Sequence, residues 1–185
     1  MLRVPFRRQP RRVLVLGGAR SGKSSYAEGL LGGERSVEYV ACGLPSDGED
    51  PEWADRVALH RARRPASWST LETIDLIGVL GRPGPPVLVD CLTTWLAQVM
   101  DDCGIWTEQA GSDKRLAAAM DDVVDAWTRS RRRVIGVSNE VGSGIVPATP
   151  AGRRFRDELG VLNARIAAAS DRVWLVTAGL PQKLR

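Results

Sequence analysis

Residues 13–24 read VLVLGGARSGKS, and few stretches constrain a fold as tightly. Four apolar, mostly branched residues run straight into a glycine-rich turn, and a helical pattern follows. Gly17, Gly18, Ala19, Arg20, Ser21, Gly22, Lys23 and Ser24 fit G-x-x-x-x-G-K-[ST] in full. Each residue type has a physical task. Gly17 and Gly22 let the backbone turn so that its N–H groups face inward, where they can cradle phosphate oxygens. Lys23 brings a cation to the β and γ phosphates, and Ser24 offers a hydroxyl to Mg²⁺. A helix opening at about Ser21 adds the positive end of its dipole. Strand, loop and helix in this order make a phosphate-binding loop.

Such a loop needs an acid to organise the metal's water shell. VLVD (87–90) is a short apolar run closing on a carboxylate, and it puts Asp90 at a strand end. Asp90 and Ser24 are therefore the expected metal residues. The pair points to a nucleoside triphosphate with Mg²⁺; it does not by itself say which reaction follows.

The remaining chain supplies the fold around that loop. VEYVA (37–41), VIGVS (134–138) and VWLVT (173–177) are Val-rich and not alternating, as are strands of a parallel sheet buried on both faces. Helical stripes separate them: Leu92, Trp95, Leu96, Val99 and Met100; Leu116, Met120, Val123, Val124 and Trp127; Phe155, Leu159, Leu162 and Ile166. The alternation predicts one three-layer α/β domain over residues 13–185. GRPGPP (81–86) breaks the pattern before VLVD, and GLPSDGEDPE (43–52) is a polar loop with Asp50 as a helix N-cap and Pro51 at the first helical position.

The net charge of +4 belongs to one end of the chain. Residues 1–12 hold five arginines and no acid; without them 21 basic residues face 22 acids, a net of about −1. The tail is read as a flexible leader, and nucleic acid is not an expected partner. There is no secretory h-region and no run of membrane-spanning length. Cys42, Cys91 and Cys103 show no CxxC spacing, which argues against a zinc site or disulfide framework. A cytoplasmic protein is expected.

His60 is the only histidine of the chain, and it stands in RVALHRARRPASW (56–68) among Arg56, Arg61, Arg63 and Arg64. On a helix begun at Asp50, Arg56, Arg63 and Arg64 project from the same side as His60. Like charges disfavour imidazolium and lower the pKa, leaving a neutral nucleophile beside cations that can hold polyphosphate. The competing description is a solvated basic helix with an incidental histidine, and the residues alone leave both open. SNEVGSGIVP (138–147) is similarly divided between a ligand or subunit-boundary loop and a glycine-rich connection.

The motifs taken together resemble one family over nearly the whole chain after the tail. GGARSGKS, HRARRPASW with Glu72 downstream, VDCLTTWL, and the long stretch from NEVGSGIVP to GLPQKL are similar to the bifunctional adenosylcobinamide kinase / adenosylcobinamide-phosphate guanylyltransferases. The resemblance implies phosphorylation of the aminopropanol hydroxyl of adenosylcobinamide with ATP or GTP. It then implies transfer of GMP from GTP through a covalent histidine–GMP intermediate, which gives adenosylcobinamide-GDP and pyrophosphate. It places the nucleophile on His60 and nucleotide contacts on Gly17–Ser24, on Ala41, Cys42 and Gly43, on Arg61, Ala62, Arg63 and Arg64, on Glu72 and on Asp90. It further implies a RecA-like P-loop sheet and a homotrimer with sites near subunit boundaries. A plain P-loop kinase, or a nucleotide-gated switch that acts on a protein, would share the loop but form no covalent nucleotide.

Overall fold

The computed structural model describes residues 10–43 and 64–185. Strands β1 (Arg12–Gly17), β2 (Glu38–Ala41), β3 (Ser69–Glu72), β4 (Val87–Asp90), β5 (Val134–Asn139), β6 (Arg172–Thr177) and β7 (Leu180–Lys183) form one sheet. Its order is β3-β2-β4-β5-β1-β6-β7, parallel throughout except for the β6–β7 hairpin. One strand, β5, separates the strand of the phosphate loop from the strand that ends in Asp90.

Among the described residues five helices cover the sheet: α1 (Lys23–Gly29), α2 (Leu76–Gly81), α3 (Leu92–Asp102), α4 (Ser112–Arg129) and α5 (Pro150–Ala168). Because residues alternate across a strand, β1 sends Val13 and Val15 to one face and Leu14 and Leu16 to the other. The first pair packs with Ala27, Leu31, Tyr39, Leu88 and Val137 in a core that includes α1. The second joins a larger core with side chains of α2, α3, α4 and α5. This is the three-layer P-loop architecture expected from the alternating pattern. The three helical stripes supply the larger core, with only Val124 and Phe155 partly exposed among them.

Local chemistry fixes the helix starts. The Thr149 hydroxyl accepts from the Gly152 N–H at 3.1 Å ahead of Pro150 in the first turn of α5, and Asp75 accepts from Gly78 at 2.8 Å ahead of α2. At the phosphate loop, regular α1 opens at Lys23, two residues later than Ser21, because Gly22 takes a left-handed φ of 90°.

Two edge strands depart from the sequence expectation. β3, STLE, and β7, LPQK, lack an apolar run because each is an edge strand. Their formation rests on partners elsewhere in the chain, β2 for one and β6 for the other. Ala178 and Gly179, at φ 51° and 80°, turn the β6–β7 hairpin in the mirror-image manner that matches strand twist.

The boundary of the basic tail also moves. Arg11 and Arg12 belong to the folded domain: both backbone N–H groups donate to Asp171 Oδ2 at 2.9 Å, and Arg12 Nη2 lies 3.1 Å from Oδ1. Burial pushes the Asp171 carboxyl up, but these N–H donors and the Arg12 charge outweigh it and leave the group below its ordinary value.

At the amino edge of the sheet Arg132 is 4 % exposed. Its Nη1 lies 2.8 Å from Glu38 Oε2 and donates to the Val79 carbonyl, while Nε donates to the Pro85 carbonyl at 2.7 Å. One guanidinium thus ties β2, α2 and the GRPGPP connection to the start of β5.

Candidate functional site

The strand registers bring the site residues to the carboxyl edge of the sheet. Ala41 pairs with Glu72 on one side and Asp90 on the other, and Gly17 pairs with Asn139. In open α/β sheets this edge is where ligands lie.

Gly17 cannot carry a side chain. A Cβ there would stand 2.6 Å from the Val176 carbonyl oxygen and closer still to Ser21 Oγ. Gly22 is confined by its positive φ and by Gly179, whose Cα would lie 3.3 Å from an added Cβ. Gly179 N–H donates to the Ser21 carbonyl at 2.8 Å, so the β6–β7 turn braces the loop from behind. The Ser21 hydroxyl is buried without a hydrogen-bond partner among the described residues. Gly17→Ala should cost about 1–3 kcal/mol by overpacking and displace the loop N–H groups. Thermal melting and titration with a fluorescent GDP analogue will show a lowered Tm and weakened binding together.

Lys23 Nζ reaches back to donate to the Gly18 carbonyl at 3.1 Å, across the mouth of the loop. Burial pushes its pKa below the ordinary lysine value, and the nearby Cys91 and Asp90 pull it back up. Lys23 and Asp90 therefore share one electrostatic site, although they come from α1 and β4. Asp90 accepts a hydrogen bond from the Tyr39 hydroxyl at 2.8 Å on Oδ2. Burial first, then the neighbouring Asp90 charge, pushes the Tyr39 phenol far above its ordinary value, so it remains a donor.

The other expected contacts are distributed unevenly. Ala41 ends β2 at this edge and Cys42 and Gly43 follow it, but the Cys42 side chain is fully buried in the larger core. Its thiol, pushed up chiefly by burial, faces core rather than ligand, and only backbone atoms of Cys42 can meet a nucleotide. Glu72 is exposed at the end of β3. Arg64 lies flat over Tyr39, its guanidinium carbon 3.2 Å from the ring centroid, and donates to Thr70 Oγ1 at 3.0 Å. His60, Arg61, Ala62 and Arg63, the expected nucleophile and its flanking contacts, lie outside the described residues, as does the expected Asp50 cap.

The sequence reading missed Tyr39 and a polar lattice behind the loop. Thr93 Oγ1 accepts from Asn139 N–H at 2.8 Å, Asn163 Nδ2 donates to the Asn139 carbonyl at 2.9 Å, and Glu140 N–H donates to the Gly17 carbonyl at 3.1 Å. Glu140 also gathers the following turn, accepting from Gly142 N–H at 2.7 Å. No spacing in the sequence announces these partners, which come from four separate elements.

The residues fit Mg²⁺. Ser24 opens the first turn of α1 and Asp90 ends β4 in the field of Lys23. Among the described residues no three His, Cys, Asp or Glu side chains converge as a metal cage. A phosphate-loop site needs none, since Mg²⁺ keeps waters and takes substrate phosphates with one or two protein oxygens. No described helix is long and apolar enough to cross a membrane.

Known proteins match this arrangement along almost its full length. The bifunctional adenosylcobalamin biosynthesis protein CobU of Escherichia coli (strain K12) is 38% identical over 183 residues, spanning 94% of this chain and 99% of that protein. Its namesake from Salmonella typhimurium is equally similar, with the same coverage. The bifunctional adenosylcobalamin biosynthesis protein CobP of Pseudomonas aeruginosa is 40% identical over 181 residues, covering 94% of this chain and 97% of that protein. The profile described as "Cobinamide kinase / cobinamide phosphate guanyltransferase" matches residues 13–184. With the phosphate loop, its lysine and the strand-end acid on one sheet edge, the chain belongs to the cobinamide kinase / cobinamide phosphate guanyltransferase family.

Proposed function

We propose that this chain phosphorylates the aminopropanol hydroxyl of adenosylcobinamide with ATP or GTP, and then transfers GMP from GTP to the phosphate it has made. The observation that carries the reading is that the phosphate loop after β1 and Asp90 at the end of β4 lie at one sheet edge, within a chain matched by the family over residues 13–184. In the kinase step the loop N–H groups and Lys23 hold the γ phosphate and stabilise the charge that develops as the substrate hydroxyl attacks. Bound Mg²⁺, held by Ser24 and Asp90, supplies further neutralisation of phosphate charge.

In the second step neutral His60 attacks the α phosphorus of GTP. A nitrogen–phosphorus bond forms, the bond from the α phosphorus to its bridging oxygen breaks, and pyrophosphate leaves. An oxygen of the corrinoid phosphate next displaces the imidazole and gives adenosylcobinamide-GDP. Arg61, Arg63 and Arg64 offset charge at the phosphates, and Ala41, Cys42, Gly43, Ala62 and Glu72 complete the nucleotide contacts. The proposal includes a cytoplasmic homotrimer with sites near subunit boundaries. Ile145 and Val146, 96 % and 62 % exposed on the loop after β5, are apolar side chains of the kind such a boundary covers.

The test uses GTP labelled at the α phosphate. Wild type should acquire label that survives denaturation and is released by acid, and His60→Ala should acquire at least about 10³-fold less, as expected for loss of a nucleophile. Phosphorylation of adenosylcobinamide should persist in that variant. Wild type that phosphorylates the corrinoid yet takes up no label would reduce the protein to a plain kinase.

A further inference from the structure

We infer that Tyr39 is a positioning residue for the reaction: its hydroxyl fixes the Asp90 carboxylate for the metal, and Arg64 and Thr70 lock its ring. This inference rests on the proposed role of Asp90. Tyr39 is the second residue of β2, in register with Leu88 of β4, and its side chain lies on the α1 face of the sheet. Leu88 shares that face, and the two-residue period of a strand puts Asp90 there as well. The phenol therefore runs along the sheet surface towards the carboxyl edge and meets Oδ2 at 2.8 Å.

Core packing and one stacked arginine hold the ring where it is. Tyr39 is 3 % exposed, packed in the smaller core. Arg64 covers its face, and Arg64 is itself tied to Thr70, the residue paired with Tyr39 across β2 and β3. An acid at a strand end has a free rotation about its side-chain bonds unless a donor fixes it, and a buried phenol is a donor with almost no freedom of its own. The arrangement also places the last arginine of the RARR segment against the residue that sets the carboxylate. The arginine side and the metal side of the site are thus in mechanical contact through one aromatic ring.

Tyr39→Phe keeps the ring and deletes the hydroxyl. Equilibrium binding of a fluorescent GDP analogue, measured in EDTA and across a Mg²⁺ titration, separates positioning from packing. Loss of a hydrogen bond to a charged group should raise the Mg²⁺ concentration needed for half-maximal tightening about 10-fold, while binding in EDTA stays within about 2-fold of wild type. In an Asp90→Asn background the same substitution should add nothing, because the group it positions is gone. Equal weakening with and without Mg²⁺, or full additivity in the double variant, overturns the inference. If Asp90→Asn alone leaves the Mg²⁺ dependence unchanged, the metal role of Asp90 falls and the inference falls with it. If Asp90→Asn shifts that dependence and Tyr39→Phe does not, the role of Asp90 stands and only the inference is lost.

Discussion

Lys23→Met yields a folded protein that has lost phosphoryl transfer by about 10²–10³-fold or more in kcat, the scale for removal of one preorganised charge from a transition state. Stability should move the other way. The ammonium of Lys23 is half-buried with a carbonyl as its hydrogen-bond partner, and burial lowers its pKa. A base whose folded pKa lies below its unfolded value releases its proton earlier in the folded state. Stability from this group therefore rises with pH between the folded pKa and the ordinary 10.5, and its charge costs stability below that window. The methionine variant should melt no lower than wild type at neutral pH, and the gain should shrink as pH climbs towards 10.5. Melting curves of both proteins without nucleotide read this difference directly, because other titrating groups cancel between them. A variant that melts well below wild type at pH 7 would mean that Lys23 has a structural partner beyond the Gly18 carbonyl.

The second large effect lies at the opposite edge of the sheet. Arg132→Met should destabilise the fold by about 3–5 kcal/mol, as expected when one partner of a buried ion pair is removed. Among the described residues the Glu38 carboxylate would keep the more exposed Arg82 alone, and the carbonyls of Val79 and Pro85 would lose the Arg132 donor. Adding Glu38→Gln should return part of the loss by removing the uncompensated charge. Denaturant unfolding gives the free energies. Nucleotide affinity, measured well below the melting temperature, should change little, because the pair sits at the amino ends of β2 and β5 while the phosphate loop lies beyond their partners' carboxyl ends. A large drop in affinity would show that the two edges are coupled through the sheet.

These two residues show what a sequence can and cannot display. Lys23 was legible because a phosphate loop is local: eight consecutive residues carry its turns, its cation and its hydroxyl. Asp90 was legible as the end of an apolar run, and the helical stripes were legible because burial follows the helical period. Arg132 was hidden. It stands within RSRRR, a run that reads as solvated charge, and only a carboxylate 94 residues earlier together with two loop carbonyls makes it a core residue. Tyr39 was hidden for the same reason, its partner lying 51 residues away. Edge strands β3 and β7 escaped because pairing, and not two-sided burial, holds them. At Cys42 the resemblance marks a position for ligand contact, and packing turns the side chain into the core, which leaves the backbone for that contact.

The position of β1 in the sheet bears on how the molecule is made. Among the described strands it leaves the ribosome before the rest, yet its two neighbours are β5, which begins at Val134, and β6, which begins at Arg172. Until those segments emerge, β1 lacks both of its sheet neighbours, and the loop it carries lacks the Gly179 brace. Contacts of such long separation are slow to close. A nascent chain therefore has its phosphate-binding sequence complete long before it has a phosphate-binding site. Triphosphate cannot template the early stages of folding, and can stabilise only chains that have already assembled the far side of the sheet.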